Sequence, residues 1–502
     1  MKKRVRFAPS PTGLFHVGSA RIALANYLFA RKNKGVFVLR IEDTDKERSK
    51  KEYEENIIDC LQWLGIEFDE GPGRGDYGPY RQSERSYDKY IKELIDKEKA
   101  YYCFCSKEEL DSIREKQEEA GETPRYPGTC RDLSSEKAEE KIKSGSDYVI
   151  RMIVGDKKVS FRDRVRGLIE FDGSLIEDFV IAKDEERPLY NLACVIDDHE
   201  MKVTDVIRGE DHISNTPKQI LIAEALDFKR VNYAHLPLIL APDKSKLSKR
   251  FGAVSVSEYR KEGFLPEALV NFLALLGWSP GDDREFFTME ELIDEFSLER
   301  CKKAGAVFNK KKLEHINTLH LKEVTGERLA LLSIPFWIEA GYINPVYEED
   351  QYPPAMGAKG IKTGYRTEDG RKYGFDALKE IAEEHKDRIS KVVEIVDHTG
   401  YFFKQPKVDF DLLQWKEMTS EELGDVIDKS IEVIDNIKNW EKEEVKDKLL
   451  QKANQFEDRG RFLWPLRAAL TGEKASAGPL EVTYILGREE AIGRLKKAKD
   501  NL

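Results

Sequence analysis

Apolar and polar positions near the N-terminus predict the order strand, helix, strand. Residues 3–8 predict a short buried strand, and a turn rich in proline and glycine follows at 9–18. Residues 19–32 predict an amphipathic helix, with one face formed by Ala20, Ala23, Leu24, Tyr27 and Leu28. Residues 36–41 predict the next strand, after Gly35 at the expected C-cap of the helix. This order is a βαβ unit, so we expect a parallel sheet.

The same patterning divides the rest of the chain. A loop rich in glycine and proline spans 71–80, and a helix to about residue 99 follows it. From about 106 to 186 the sequence is irregular and highly charged, with β patterns at 148–154 and 158–161. We interpret this segment as an insertion in the sheet domain. Strand patterns return at 190–197, 203–208 and 236–240. Helical patterns prevail beyond about 255, and a loop-like segment at 344–370 interrupts them.

Composition is typical of a globular protein. The chain has 502 residues, 40% hydrophobic and 35% charged, which suits about three domains. The basic start Met-Lys-Lys-Arg is not followed by an apolar signal core, and no stretch reaches the roughly 18 apolar residues of a membrane span. Six cysteines are too few for a disulfide framework in a chain of this length. We therefore expect a cytoplasmic protein with no membrane partner.

Basic residues cluster locally although the net charge is −11. Residues 300–312 carry six positive charges and no negative one, and residues 243–250 add a net charge of +3. Clustered basic surface on an acidic protein fits one specific polyanion better than indiscriminate binding to nucleic acid. A solvated surface face explains these clusters equally well, so charge alone leaves both interpretations open.

The turn after the first strand has the residue types of a phosphate site. Gly13 and Gly18 let backbone N–H groups approach phosphates, and the helix dipole favours anions there. His16 in the same turn can donate a hydrogen bond to the negative charge that develops on an α-phosphate. The turn is not a Walker loop, because it lacks Gly-x-x-x-x-Gly-Lys. An ordinary turn with a surface histidine is the alternative.

A basic loop, Lys246-Leu-Ser248-Lys249-Arg, follows the apolar run at 236–240. Two lysines three residues apart, with a serine between them, suit a loop that closes on a polyphosphate. Attack at an α-phosphate builds negative charge on the leaving pyrophosphate, and lysines stabilise that charge in the transition state. Taken alone, the loop is more simply a solvated basic turn. Together with the His16 turn, it predicts a site that binds ATP from two sides for adenylate chemistry.

Four polar residues belong to strands or strand ends that are predicted to lie side by side: Arg6, Glu42, Tyr190 and Arg208. Guanidinium groups suit the carboxylates of an acidic amino acid, and a glutamate suits its ammonium group. Surface ion pairing is the alternative. Arg6 lies within an apolar strand, where an unpaired charge is costly, and this favours the pocket.

Two short cysteine motifs form a candidate zinc site, Cys103-x-Cys105 and Cys130-x-Asp132. Thiolates are preferred ligands of Zn²⁺, and the spacing suits a knuckle inside the insertion. Three thiolates and one carboxylate are an unusual set. Free thiols in a reducing cell are therefore the alternative.

The run Asp197-Asp198-His199 also contains metal-binding residue types. It follows an apolar segment predicted as a strand and precedes a predicted turn. This context favours a structural role over a metal site.

Two signatures and several shorter segments occur in the order of a known family. The first signature combines residues 6–13 with 16–19, and the second is 246–250. Further segments are 40–45, 78–83, 206–212, 470–472 and 486–488. Nearly end to end, the chain resembles the bacterial-type class I glutamyl-tRNA synthetases.

The resemblance implies a ligase that joins L-glutamate to the 3′ end of tRNA(Glu) in two steps. Glutamate and ATP form glutamyl-adenylate and diphosphate, with Mg²⁺ as cofactor, and the terminal ribose of the tRNA then takes the glutamyl group. The implied catalytic residues are His16, Lys246 and Lys249. The implied ATP contacts are Gly13, His16, Gly18, His212, Lys246, Ser248 and Lys249. The implied glutamate contacts are Arg6, Ala8, Ser10, Glu42, Tyr190 and Arg208.

The implied fold is α/β, a Rossmann-like parallel-sheet catalytic domain with an α+β insertion, followed by an all-helical anticodon-binding region. The catalytic domain is expected at 1–105 and 187–255, and the acceptor-stem insertion with the candidate zinc knuckle at 106–186. A helical stem-contact junction is expected at 256–325, and the anticodon domain at 326–502. Asp132 replaces the histidine of zinc-bearing relatives. The roles of Cys194 and of residues 344–370 stay open.

Three other functions fit parts of the sequence. The glutaminyl branch has Pro-Glu-Pro-Asn where this chain has Pro-Ser-Pro-Thr at 9–12, and its C-terminal region is rich in β-structure. A short paralogue that glutamylates a modified base in tRNA lacks an anticodon domain. An RNA-binding protein with an inactive synthetase fold has no need of His16 and Lys249. We expect a monomer without a DNA partner; whether tRNA(Gln) is also charged stays open, and Arg388 is a candidate for reading the anticodon.

Overall fold

The computed structural model divides into two compact units. It describes residues 2–245, 247, 255–346, 364–408 and 410–502. The first unit comprises Met1–Arg260 and Pro266–Leu313, and the second comprises Lys261–Leu265 and Glu314–Leu502. Among the described residues, no helix has both the length and the apolar character to cross a membrane.

The first unit mixes strands and helices. Its strands are β1 (Arg4–Phe7), β2 (Val36–Leu39), β3 (Ala100–Cys103), β4 (Val149–Met152), β5 (Val159–Asp163), β6 (Gly167–Phe171), β7 (Val180–Ala182), β8 (Asp205–Gly209), β9 (Asn232–Leu236), β10 (Ile239–Leu240) and β11 (Ala306–Val307). Its helices are α1 (Val17–Lys32), α2 (Lys51–Trp63), α3 (Asp88–Asp96), α4 (Lys107–Glu119), α5 (Ser135–Lys143), α6 (Tyr190–Glu200), α7 (Thr216–Ala225), α8 (Val256–Lys261), α9 (Pro266–Leu275), α10 (Met289–Glu295) and the start of α11 (Lys310–Glu323).

Parallel strand pairs confirm the predicted sheet. β1 pairs in parallel with β2, and β8 pairs in parallel with β9, which sets Arg208 opposite His235. The Thr204 N–H donates to the Arg4 carbonyl at 2.9 Å and ties the start of β8 to β1. β5 forms an antiparallel hairpin with β6 and also pairs with β9. Part of the predicted insertion thus joins the central sheet, whereas β3, β4 and β7 form a separate antiparallel sheet.

Helix α1 forms where the apolar spacing predicted it. Its buried side includes Ala20, Ala23, Leu24 and Leu28, and Arg31 and Lys32 lie in its last turn, where cations favour the helix dipole. The expected C-cap at Gly35 differs from the structure, because the left-handed residue is Lys34 (φ 48°). Gly35 is needed for another reason. A Cβ there would lie 2.6 Å from the Lys3 carbonyl oxygen, so the glycine lets β2 start beside β1.

The strand predicted at 190–197 is wrong, because these residues belong to helix α6. Every residue from Leu192 to Asp198 is buried, so the helix lacks the polar face that reveals helical periodicity. A short apolar run buried on all sides reads the same for a strand and a helix. Tyr190 is consequently the first residue of a helix rather than part of a strand.

The second unit is mostly helical, as predicted. Its helices after α11 are α12 (Gly326–Glu339), α13 (Phe375–His385), α14 (Ile395–Phe403), α15 (Phe410–Leu413), α16 (Ser420–Asp435), α17 (Lys442–Ala453), α18 (Gly460–Thr471), α19 (Pro479–Leu486) and α20 (Arg488–Lys499). It also contains a small antiparallel sheet of β12 (Asn344–Pro345), β13 (Tyr365–Arg366) and β14 (Lys372–Tyr373), which the pattern did not indicate. Residues 347–363 of the loop-like segment lie outside the described residues.

A buried arginine fastens the helices of the second unit. Arg494 of α20 donates from Nη1 to the carbonyl oxygens of Tyr401 and Leu470, each at 2.6 Å, and from Nε to Glu490 at 2.7 Å. Gly472 ends α18 in the left-handed conformation (φ 67°), and this position favours glycine. The segment 470–472 thus closes α18 against α20.

Candidate active site

The carboxyl ends of β1, β8 and β9 border a cavity of about 550 Å³. Ligands of parallel α/β sheets bind at this edge, because the loops that leave the strands meet there. The residues predicted for ATP or glutamate that line it are Arg6, Ala8, Ser10, His16, Gly18, Glu42, Tyr190, Arg208 and His212. Residues predicted on sequence grounds to bind two different substrates therefore share one cavity.

His16 caps the N-terminus of α1. Its Nδ1 accepts a hydrogen bond from the Ser19 N–H at 3.3 Å. The neutral ring therefore carries its proton on Nε2, which donates to Ser19 Oγ at 3.0 Å. A Cβ on Gly18 would lie 3.0 Å from the imidazole, so the glycine makes room for the histidine ring. The first turn of α1 contains no acidic residue, which leaves this end of the helix favourable to an anion.

Two buried arginines share the carboxylate of Asp198. Arg6 donates to its two oxygens at 3.0 and 3.3 Å, and Arg40 donates to Oδ1 at 2.6 Å. Arg40 also donates to Glu42 at 3.0 Å. Burial alone raises the pKa of Asp198, but the two guanidinium groups outweigh it and hold the pKa below its usual value. Asp198 is therefore ionised and fixes Arg6 at the cavity wall.

Arg208 is held by neutral acceptors. Its Nη1 donates to Gln219 Oε1 and its Nη2 to Thr216 Oγ1, each at 2.8 Å, and its Nε donates to His235 Nε2 at 3.1 Å. Since an arginine only donates, His235 accepts at Nε2 and carries its proton on Nδ1, which donates to Asp163 at 2.6 Å. These three hydrogen bonds position the guanidinium, and within the described part of the chain no carboxylate binds it directly. Its positive charge is available to a ligand.

Tyr190 and His212 form a further polar pair of the cavity. The Tyr190 hydroxyl lies 3.0 Å from His212 Nδ1. Burial, assisted by the charge of Arg208, lowers the pKa of His212 to about 4, so the imidazole is neutral near pH 7. Burial and the nearby Cys194 and Glu42 raise the pKa of Tyr190, which stays a phenol. The pair offers hydrogen bonds without adding charge.

The remaining predicted ATP residues are placed differently. Gly13 is not among the residues that line the cavity. Lys246, Ser248 and Lys249 lie outside the described residues. Leu247, which is described, lines the cavity.

Sequence reasoning missed the residues that hold the two cavity arginines. Arg40 and Asp198 were not predicted as site residues, and neither were Gln219 and His235. The run Asp197-Asp198-His199 was predicted to be structural, and the contacts of its first two residues agree. Asp197 accepts from Gln82 at 2.7 Å and pairs with Arg85 at 2.7 Å. Two arginines near the ends of apolar strands, Arg6 and Arg40, were the one signal that a buried carboxylate was needed.

Cys194 lies between the same two arginines. Its Sγ is 3.7 Å from Arg6 Nη2 and 3.6 Å from Arg40 Nη2. Burial and the neighbouring Asp198 raise the pKa of the thiol to about 12. Cys194 is therefore a neutral packing residue behind the cavity arginines.

Three of the four predicted zinc ligands lie together in the first unit. The sulfur atoms of Cys103, Cys105 and Cys130 all lie within 4.8 Å of one another. The Tyr126 hydroxyl is 3.4 Å from Cys103 Sγ and accepts from the Cys130 N–H at 3.0 Å. Asp132 is exposed and does not contribute to this cluster. Three convergent thiols fit the ligand chemistry of Zn²⁺.

Comparison with known families defines the class of the protein. Residues 2–315 match the model described as tRNA synthetases class I (E and Q), catalytic domain. Residues 358–499 match an anticodon binding domain. The chain thus belongs to the class I tRNA synthetases, and the parallel sheet with its polar cavity is their catalytic domain.

Relatives of similar length identify the family within this class. A glutamate–tRNA ligase of Carboxydothermus hydrogenoformans is 44% identical over 499 residues, which cover 98% of each chain. Another, of Alkaliphilus metalliredigens, is 41% identical over 514 residues and 99% of each chain. A crystal structure of a glutamate tRNA ligase from Elizabethkingia meningosepticum in complex with its amino acid has a TM-score of 0.82 at 32% identity over 100% of each chain. The chain belongs to the glutamate–tRNA ligase family.

Proposed function

We propose that the chain joins L-glutamate to the 3′ end of tRNA(Glu) through glutamyl-adenylate, releasing AMP and diphosphate. Relatives named glutamate–tRNA ligase over the full length of the chain support this reaction. The match to an anticodon binding domain supports tRNA as the acceptor. The observation that carries the choice of amino acid is the guanidinium of Arg208, whose hydrogen-bond partners among the described residues are all neutral.

Arg208 selects glutamate over glutamine in this proposal. A carboxylate at the end of the substrate side chain neutralises the guanidinium, whereas an amide leaves a buried positive charge poorly paired. Glu42 provides a negative charge for the substrate ammonium group. Arg6, Ala8, Ser10 and Tyr190 complete the glutamate site.

The first step is an in-line displacement at the α-phosphorus. A carboxylate oxygen of glutamate forms a bond to phosphorus, and the bond to the β-phosphate oxygen breaks, so diphosphate leaves. His16 gives up its contact with Ser19 Oγ and donates from Nε2 to the α-phosphate, and Gly13, Gly18 and His212 form the rest of the ATP site. Lys246, Ser248 and Lys249 neutralise the leaving diphosphate. Magnesium bound with ATP supplies further neutralisation of the phosphate charge.

The second step transfers the glutamyl group to the terminal ribose. A ribose hydroxyl attacks the carbonyl carbon, loses its proton, and AMP leaves with the electrons of the broken bond. We assign acceptor-stem contacts to 106–186, further stem contacts to 256–325 and the anticodon to 326–502. The remaining segments, 1–105 and 187–255, form the catalytic domain. A monomeric, cytoplasmic enzyme without membrane or DNA partners is consistent with this role.

We also propose that the cysteine cluster holds a structural zinc ion. Cys103, Cys105 and Cys130 supply three thiolates, and Asp132 stays the sequence-based candidate for the fourth ligand. Purified protein should contain about one zinc per chain by mass spectrometry, and Cys130→Ser should lose it, because each ligand of a four-coordinate site is needed. Cys301→Ser, outside the cluster, is the matched control. Wild-type protein without zinc would overturn the assignment, and unchanged zinc in Asp132→Ala would remove Asp132 from it.

Charging of tRNA tests the proposed function. We expect labelled glutamate, and not glutamine, to be esterified to a tRNA(Glu) transcript. Folded protein that charges neither amino acid, or that prefers glutamine, would overturn the proposal. The same assay with tRNA(Gln) decides whether that tRNA is a substrate.

A further inference from the structure

A second cavity of about 550 Å³ lies at the opposite edge of the same sheet. Among its lining residues, Lys3 precedes β1, Thr204 precedes β8, and Asn232 begins β9. These positions are at the amino ends of the strands whose carboxyl ends border the active-site cavity. The volume suits a small molecule, since ligand pockets usually enclose about 300–1,000 Å³.

Buried side-chain pairs separate the two cavities. Asp198 lines the second cavity and binds Arg6, which lines the first. Gln219 likewise lines the second cavity and accepts from Arg208 of the first. A ligand of the second cavity therefore does not share the space of ATP or glutamate.

Cations line the second cavity in excess of its acidic groups. Lys3 is paired with Asp205, and Arg230 with Glu224. Lys202 and Lys229 also line the cavity and form no ion pair with any described residue. The carboxylate of Asp198 is already neutralised by Arg6 and Arg40. The charge of the two lysines is therefore left for an anion.

The cavity also offers a hydroxyl and aromatic surface. Tyr233 is 7% exposed, lines the cavity, and its hydroxyl has no hydrogen-bond partner in the described part of the chain. The hydroxyl is not one of the buried unpaired polar atoms, so a ligand in the cavity can reach it. The rings of His199 and Phe228, both lining residues, are stacked 3.6 Å apart at an interplanar angle of 7°. A planar ligand can extend that stack.

We propose that this cavity binds a phosphorylated ligand with a planar ring, of the size of a nucleotide, in addition to the substrates of the active site. Lys202 and Lys229 bind its phosphate. The hydroxyl of Tyr233 hydrogen-bonds a polar group of the ligand, and the His199–Phe228 stack receives its ring.

Calorimetric titration with guanosine monophosphate tests the site in the full chain. The active-site cavity is first filled with a non-hydrolysable glutamyl-adenylate analogue, whose own binding is measured separately. We expect saturable binding of the nucleotide with a Kd below about 1 mM. Inorganic phosphate and guanosine should each bind at least about tenfold more weakly, because each lacks one half of the ligand. Equal binding of phosphate, no saturable binding, or binding that is seen only without the analogue would overturn the proposal.

Variants of the lining residues test whether the nucleotide binds in the second cavity. Lys202 has a left-handed backbone (φ 56°), which asparagine tolerates, so the charge is removed by Lys202→Asn together with Lys229→Ala. We expect this double variant to bind the nucleotide at least about tenfold more weakly. The control is Lys116→Ala with Lys137→Ala, which removes two exposed lysines elsewhere and should not change the affinity. Tyr233→Phe removes one hydroxyl with little risk to folding and should weaken binding severalfold. Unchanged affinity in both test variants would contradict the assignment.

Discussion

Arg208 and His235 face each other across the β8–β9 pair and are joined by a hydrogen bond of 3.1 Å between Nε and Nε2. Asp163 fixes the other ring nitrogen of His235 at 2.6 Å, so the lone pair of Nε2 points at the arginine. Burial and the charge of Arg208 keep the pKa of His235 low, although Asp163 raises it. The neutral imidazole orients the guanidinium and leaves its charge for the substrate.

Replacing Arg208 with alanine should lower kcat/KM for glutamate by at least about 100-fold. The reason is that the enzyme loses a buried, charged hydrogen bond to the side-chain carboxylate of the substrate. Steady-state charging kinetics measure this effect. Arg187→Ala, which removes an exposed arginine of the same unit, is the control and should behave like wild type. A loss below threefold for Arg208→Ala would exclude Arg208 from the glutamate site.

Replacing Asp198 with asparagine should destabilise the first unit by about 3–5 kcal/mol, because Arg6 and Arg40 would then be buried beside a neutral amide. Thermal or urea unfolding measures the change in the free energy of unfolding. Asp227→Asn is the matched control, since its partner Lys97 and the carboxylate are at the surface. If both variants unfold alike, the shared carboxylate does not stabilise the sheet.

Acid should destabilise the second unit through His385. The Nδ1 atom of this buried ring lies 2.7 Å from the Ile381 carbonyl oxygen, and the Nε2 atom lies 2.8 Å from the Tyr401 hydroxyl. Burial lowers its pKa to about 4, below that of an exposed histidine. Stability from the neutral ring is therefore present above the unfolded pKa, near 6.5, and is lost as pH falls towards 4.

Urea unfolding at pH 7.5 and pH 5 measures this loss. Between these two values, His385 should cost the wild type about 2 kcal/mol of unfolding free energy. His385→Phe should lose less over the same range, whereas His315→Gln, which changes an exposed histidine of the same unit, should match the wild type. Equal pH dependence in all three proteins would show that His385 titrates normally.

Local patterns revealed the sheet and the turn of the site. The βαβ unit followed from spacing over about 40 residues, and His16 and Gly18 are separated by two positions. The hydrogen-bond network behind the cavity does not follow from local patterns, because Arg6 binds a carboxylate that lies 192 positions away in the sequence. No periodicity encodes such a pair. Helix α6 was misread for a related reason, because burial on every side removes the polar face.

Replacing Lys249 with alanine should slow adenylate formation by at least about tenfold and leave tRNA affinity nearly unchanged, because the lysine acts on charge that develops in the transition state. Single-turnover kinetics and a tRNA-binding assay separate the two effects. Lys244→Asn changes an exposed lysine of the same loop whose left-handed backbone (φ 65°) suits asparagine, and it serves as the control. Equal losses of activation and tRNA binding would assign Lys249 to the RNA or to the fold.

Exchange of label between ATP and pyrophosphate tests the central claim most directly, since it reports amino-acid activation at this site. It is measured with glutamate or glutamine, each with and without tRNA(Glu). The account predicts exchange with glutamate when the tRNA is present, and none with glutamine. Folded protein that catalyses no exchange under any of these conditions, or that exchanges equally well with glutamine, would contradict it.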